Sequence, residues 1–251
     1  MMPATTVPLF GLYARESVAE IRKSVRLPQF IIPTVVTPAA FYGLFAVAMS
    51  RGDAQTTTYA LATFGVFAAI GPALFGFGAG VASERETNQI ELKRVSPLPA
   101  GAYVAAKLAA ALGVTAAVLA LIYALGVYGG ARLSPARWAL MIAVHLASSI
   151  PFALIGFGLG MRLGSKGAVG AANALFLTLA VVGLLWMPIT SLPGWMQSLA
   201  WIMPSYHLGE LALSAAGFAR PGSGLIHAGV LAALTLAALG WAWSGWRRSA
   251  A

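Results

Sequence analysis

The chain has 251 residues, 59% of them hydrophobic and only 9% charged, with a mean hydropathy of +0.80. Soluble domains carry about 25% charged residues, so the composition excludes a soluble globular protein and points to the membrane class. The net charge of +9 is better read through the placement of the cations than as a sign of a nucleic-acid partner, and none is expected. The lack of any Cys removes disulfides and thiolate metal sites.

Taken in chain order, residues 1–27 form an N-terminal tail and helix ahead of a transmembrane domain over 28–248. The first fifteen residues show no basic region followed by an apolar one, so a cleavable signal peptide is not expected. Within 11–27, Ala14, Val18, Ile21 and Val25 share one helical face, and Arg15, Arg22, Lys23 and Arg26 lie largely off it. That pattern predicts an amphipathic helix in the membrane interface. The alternative is a helix packed on other protein.

Six segments are apolar over roughly the 20 residues a hydrocarbon core of about 30 Å requires. They lie near 28–50, 59–82, 100–128, 137–162, 168–188 and 224–246. Their Ala, Gly and Leu content predicts an all-α membrane fold rather than the short alternating segments of a barrel. With both termini on one side, that side holds twelve of the sixteen Lys and Arg residues: Arg15, Arg22, Lys23, Arg26, Arg85, Lys93, Arg94, Lys107, Arg162, Lys166, Arg247 and Arg248. Arg51, Arg132, Arg137 and Arg220 fall on the other. The positive-inside rule then puts both termini in the cytoplasm.

The connector "SERETNQIELKRVSPLPAG" (83–101) stands out, with six charges between Glu84 and Arg94. A charge at the bilayer centre costs about 2.5–3.5 kcal/mol on insertion scales, so this segment belongs outside the membrane, on the cytoplasmic side. It reads as a helix with Ser83 as N-cap and Glu86 at the capping-box position, ended by Pro97 and Pro99. On the opposite side, 189–223 is apolar but broken by Pro193, Gly194 and Pro204, which predicts one or two short re-entrant or surface helices. "PALFGFGAG" (72–80) and "PFALIGFGLG" (151–160) are similar to one another.

Several chemistries are absent. "GMRLGSKG" (160–167) lacks the Gly-Lys-Ser/Thr order of a phosphate loop, and no HExxH occurs. The triplets Gly76-x-Gly78-x-Gly80 and Gly156-x-Gly158-x-Gly160 follow apolar helices, not strands, and read as close helix packing. His145, with Ser148 and Ser149 after it, lies inside the fourth span. It is either a pathway group or a hydrogen-bonded structural polar. His207 and Glu210 are one helical turn apart, and their mutual hydrogen bonding is favoured over metal binding. No metal site and no catalytic group is expected.

The segment "ERETNQIELKRVSPLPAGAYVAAK" (84–107) resembles the characteristic stretch of ABC-2 type transporter permeases. Glu84, Arg85, Glu86, Ile90, Glu91, Leu92, Pro97 and Lys107 fit it; Asn88-Gln89 departs, where the family often has Gly followed by Thr or Ser. The resemblance implies an exporter permease that makes no ATP chemistry of its own. ATP and Mg would sit on a separate ATPase, present in two copies beneath a permease pair, most simply a homodimer, in the bacterial inner membrane. It also implies a coupling helix, with Glu84, Arg85, Glu86, Ile90, Glu91, Leu92 and Arg94 meeting the ATPase and Ile90 and Leu92 as anchors. The N-terminal interfacial helix adds to that contact. The apolar spans favour lipophilic or amphipathic cargo of the drug or antibiotic kind, ahead of lipid or glycan. An ion-gradient transporter using His145, or a membrane enzyme or scaffold, are the alternatives from other classes.

Overall fold

A computed structural model describes residues 9–26, 32–49, 52–96, 99–186, 193–218 and 224–248. Among these residues the chain is helical, with no strand. Helix α1 spans Leu9–Val25. A wound segment over 32–48, called α2, consists of π-helical Ile32–Val36, α-helical Thr37–Phe41 and π-helical Tyr42–Ala48. Then follow α3 (Ala54–Glu86), α4 (Gln89–Val95), α5 (Ala100–Tyr128), α6 (Pro135–Gly160) and α7 (Ser165–Val181). The chain continues with α8 (Gly194–Ala200), α9 (Pro204–Ala216) and α10 (Gly224–Arg248).

Four of these, α3, α5, α6 and α10, are long and apolar enough to cross a membrane. α2 and α7 are apolar but shorter. In α2 Pro38 donates no backbone hydrogen bond, and the ladder is π-helical on either side of the α-helical turn that holds it. The expected first span of 28–50 is thus an irregular, shorter helix, with 27–31 and 50–51 outside the described residues. The fifth span, expected over 168–188, winds regularly only to Val181. The chain then turns through Leu184, whose φ of 57° is left-handed, and 187–192 lie outside the described residues.

α3 is the axis of the molecule. Asp53 caps its start, accepting from Thr56 N at 2.9 Å. Within its apolar stretch 83% is buried, against 17% for α10, which lies at the periphery. α3 packs against α5, α6, α7 and α9. Its closest approach is to α6, where the two similar segments meet. A Cβ on Gly156 would fall 2.5 Å from Leu74 O, and one on Gly160 2.7 Å from Gly78 O. Phe77 and Phe157, at matching places in the two segments, meet edge to face at 6.1 Å. Gly78, Gly156 and Gly160 lie at this crossing, as close packing through small residues predicts, while Gly158 packs against Trp241 of α10 and a Cβ on Gly80 would meet nothing within 4 Å.

α3 also corrects the expected start of the connector. Ser83 is not an N-cap; it lies inside α3, which runs on to Glu86. The break comes at Thr87–Asn88, where Asn88 takes φ 58°, ψ 15°. Asn is the residue that best tolerates the left-handed region after Gly, so the place where the family pattern has Gly still turns the chain. Pro99 precedes α5 as expected, while Pro97 is outside the described residues. The 189–223 region holds two short helices, α8 and α9; Arg220 lies beyond them in 219–223, which are outside the described residues, as is Arg51.

Candidate functional site

The charges converge at one end of the bundle, where α1, the end of α3, α4 and the start of α5 meet. Lys107 stands about two turns into α5 and is 6% exposed. Its ammonium lies 2.7 Å from Glu20 Oε2 and 2.6 Å from Glu84 Oε1. Glu20, on α1, and Glu84, at the end of α3, are 5% and 2% exposed. Tyr103, one turn before Lys107, donates to Glu84 Oε2 at 2.8 Å. Lys23 of α1 pairs with Glu84 from the solvent side. Lys93 of α4 reaches Glu20 at 3.1 Å, pairs with Glu16, and lies 4.8 Å from the Tyr103 ring centre. Three acids (Glu16, Glu20, Glu84) and three lysines (Lys23, Lys93, Lys107) form one neutral network.

Neutrality is what allows the network to be buried. An unpaired ion at this depth carries a penalty of several kcal/mol, and here every charge faces its opposite at hydrogen-bond distance. Burial works against the Lys93 ammonium, but the Glu16 and Glu20 carboxylates outweigh it and hold the group above its ordinary range. Trp246, near the end of α10, stacks on Tyr103 at 5.9 Å, so the last helix reaches the same cluster.

The network fixes which way α1 faces. Glu16, Glu20 and Ile21 turn toward the protein, with Ile21 beside Gly113 of α5. Leu9, Phe10, Ala14 and Val18 turn outward, Val18 at 46% exposure. Arg15, Arg22 and Lys23 are exposed. The shared apolar face is therefore outward at Ala14 and Val18, and the inward face carries acids. Val25 ends the helix.

The connector residues divide between three directions. Glu84 points into the network. Arg85 and Glu86 point to the turn between α6 and α7. Arg85 donates to Leu163 O at 2.9 Å and also to Met161 O. Glu86 accepts from Ser165 N at 2.9 Å and from the Ser165 hydroxyl. Ile90 is 2% exposed and joins the core, whereas Leu92 and Val95 are 67% and 85% exposed. Glu91 is exposed as well, and Arg94 belongs to α4. Ile90 and Leu92 thus face opposite ways.

The other polar groups are structural in geometry. His145 is fully buried, with Nε2 2.9 Å from Ala62 O and Nδ1 2.9 Å from the Tyr123 hydroxyl. A carbonyl only accepts, so Nε2 carries the proton and Nδ1 accepts from Tyr123. The ring thereby ties α3, α5 and α6. Ser148 and Ser149 are buried and donate to Val144 O and Leu146 O of their own helix, each at 2.7 Å. His207 does not bond Glu210 as expected. Its Nδ1 lies 2.8 Å from Nδ1 of His227 on α10, and its Nε2 lies 2.9 Å from Trp201 O. Among the described residues no group of three or more metal-ligating side chains forms.

The ring of His145 occupies the space beside Gly65, whose Cβ would sit 2.1 Å from His145 Cε1. Gly65→Ala is therefore expected to destabilise the protein by about 2–3 kcal/mol through overpacking, and the pair Gly65→Ala/His145→Ala by clearly less than the sum of its members. Thermal unfolding in detergent reads both; additive effects would sink this account of the contact.

Glu20, Glu16 and Tyr103 are the network members the sequence reading passed over. A signal for them existed. Glu16 and Glu20 are one turn apart on a helix otherwise rich in cations, and a lysine inside an apolar span calls for an acid from elsewhere.

A helical bundle with four helices long and apolar enough to cross a membrane is a multi-pass membrane protein. The chain belongs to the ABC-2 type transporter family, whose sequence model matches residues 12–216. It is similar to "Putative transport permease YvfS" of Bacillus subtilis (strain 168), 27% identical over 200 residues that cover 78% of this chain and 82% of that one. The family match runs from within α1 to the end of α9 and so includes the whole connector.

Proposed function

We propose that this chain is the membrane-spanning subunit of an ATP-binding cassette exporter, driven by a separate ATPase that docks on α4. The observation that carries the reading is the pair Leu92 and Val95, 67% and 85% exposed on a short helix outside the long apolar spans. Large aliphatics exposed beside charges suit a docking surface, where apolar anchors bind and charges set the register. The inward turn of Ile90 moves the second anchor from Ile90 to Val95.

Six spans complete this reading, with the shorter α2 and α7 crossing beside the four long helices. Both termini, α1 and α4 lie on the cytoplasmic side of a bacterial inner membrane by the distribution of Lys and Arg. ATP and Mg bind the partner, two ATPase copies serve a permease homodimer, and α1 lies along the lipid interface with Phe10, Ala14 and Val18 outward. The cargo is lipophilic or amphipathic. ATPase closure presses α4, and the network passes the movement to α1, α3 and α5.

The experiment is co-expression with a P-loop ATPase encoded beside this gene. The Leu92→Asp/Val95→Asp variant is expected to lose at least about tenfold in ATPase recovery, since each buried anchor is worth about 1–2 kcal/mol. It should remain folded, because neither side chain is buried. Full recovery of ATPase with the double variant overturns the docking surface.

A further inference from the structure

We infer that Arg85 and Glu86 are positioning residues that clamp the end of α3 to the turn between α6 and α7, so that a thrust on α4 reaches α6 and α7 directly. The inference rests on the coupling role of α4 proposed above. It reassigns these two side chains from contact with the ATPase to transmission inside the permease.

The chemistry of the turn calls for this pair of charges. α6 ends at Gly160, and the last carbonyls of a helix have no partner of their own and form the negative end of its dipole. Arg85 supplies donors there, to Met161 O and Leu163 O. α7 starts five residues later, at Ser165, with Gly164 in the cap position. Glycine has no side chain to satisfy the first N–H groups, which form the positive end of a dipole. Glu86 supplies the acceptor from across the structure, to Ser165 N and Oγ. Cation and anion thus stand next to each other in sequence and each meets the helix end of opposite sign. The carboxylate also fills the space beside Gly164, where a Cβ would lie 2.7 Å from Glu86 Oε1.

The same turn is fastened on its other side. Arg162 donates to Gly158 O at 2.9 Å, to Trp241 O at 2.8 Å and to Ser244 Oγ at 2.6 Å, and its guanidinium lies 4.4 Å from the Trp241 ring. The turn is therefore a joint between α3, α6, α7 and α10. The buried network joins α4 to α1, α3 and α5; the Arg85–Glu86 clamp supplies the remaining link. Asn88, in its left-handed turn directly after the clamp, separates Arg85 and Glu86 from the exposed Leu92 and Val95 of α4.

The test uses the permease with its ATPase in proteoliposomes. Glu86→Gln and Arg85→Ala/Glu86→Ala leave Leu92 and Val95 in place, so ATPase recovery and basal ATP hydrolysis should stay within about twofold of wild type. Cargo transport per ATP should fall by about tenfold in the double variant, within the range that coupling residues command. A role in folding alone would not move the ratio of transport to hydrolysis. The cysteine-free chain permits a rescue: Glu86→Cys/Ser165→Cys, bridged by a short bifunctional thiol reagent, is expected to regain at least half of wild-type coupling, and the unbridged protein to stay low. Wild-type transport per ATP in the double variant overturns the clamp, as does a bridge that gives no recovery, or ATPase binding lost in step with transport. A wild-type permease that transports with no ATPase present overturns the docking reading itself, a result distinct from all of these.

Discussion

Lys107→Met is expected to destabilise the protein by about 3–5 kcal/mol, because it removes the one cation that lies between two buried carboxylates. Glu20 and Glu84 both hold the Lys107 ammonium, at 2.7 and 2.6 Å. Met keeps the volume and loses the charge, so the packing around the stem survives and the electrostatic effect is isolated. Lys23 still reaches Glu84 and Lys93 still reaches Glu20, which places the effect toward the lower end of that range. For a chain of this size each kcal/mol shifts Tm by about 2–4 °C, so a drop of about 6–12 °C in detergent is expected. Neutralising the acids should reverse most of it: Lys107→Met with Glu20→Gln and Glu84→Gln leaves no uncompensated charge. Single Lys23→Met, with its partner pair 44% exposed on the lysine side, is expected to shift stability by about 1 kcal/mol or less. A Lys107→Met protein as stable as wild type would mean that the ammonium is not the centre of the network.

The network also explains an oddity of composition. A chain that avoids charge places six between Glu84 and Arg94, and only part of them faces solvent. Glu84 and Lys93 meet partners from α1 and α5, and Arg85 and Glu86 hold a turn some eighty residues away. The reading of the segment as a non-spanning connector followed from hydropathy. The direction each side chain takes did not, because helical periodicity reports which residues share a face and is silent on what that face meets. Ile90 and Leu92 illustrate the limit: both are large aliphatics in a short charged helix, and two positions of separation turn one inward and the other outward. The same holds for α1, whose apolar stripe was legible while the inward pull of Glu16 and Glu20 depended on two distant lysines, Lys93 and Lys107.

Helix positions follow the apolar runs to different degrees: α5 coincides with 100–128, α6 and α10 begin and end within two residues of 137–162 and 224–246, and α3 runs beyond 59–82 by five residues at its start and four at its end. α2 departs from a regular helix around Pro38, which lacks a backbone donor, a local defect that an average over 20 residues does not register. Asn88 is a further case, since the turn there depends on the conformational tolerance of one side chain and not on any periodic signal.

Gly156→Ala should be among the most damaging single-methyl additions in the molecule. Its Cβ would lie 2.5 Å from Leu74 O and 3.1 Å from both Gly78 N and Phe77 Cβ. The first two are backbone atoms of α3, which cannot rotate away as a side chain can, so α3 and α6 must separate. Overpacking of this kind costs about 1–3 kcal/mol, and more where backbone must move; about 3 kcal/mol is expected here. Gly80→Ala is the matched control. It lies in the companion segment of α3, its Cβ meets nothing within 4 Å, and the gain in helix propensity of Ala over Gly, about 0.8–1 kcal/mol, has nothing to oppose it. Thermal unfolding should therefore move in opposite directions for two glycines of similar sequence setting. If Gly156→Ala is neutral, the α3–α6 crossing is looser than 2.5 Å allows and small residues do not set it. If both variants behave as expected, the likeness between 72–80 and 151–160 has a physical basis: each segment supplies the glycine surface that the other needs, and the close crossing is what brings the ends of α3 and α6 near enough for Arg85 and Glu86 to reach the turn beyond.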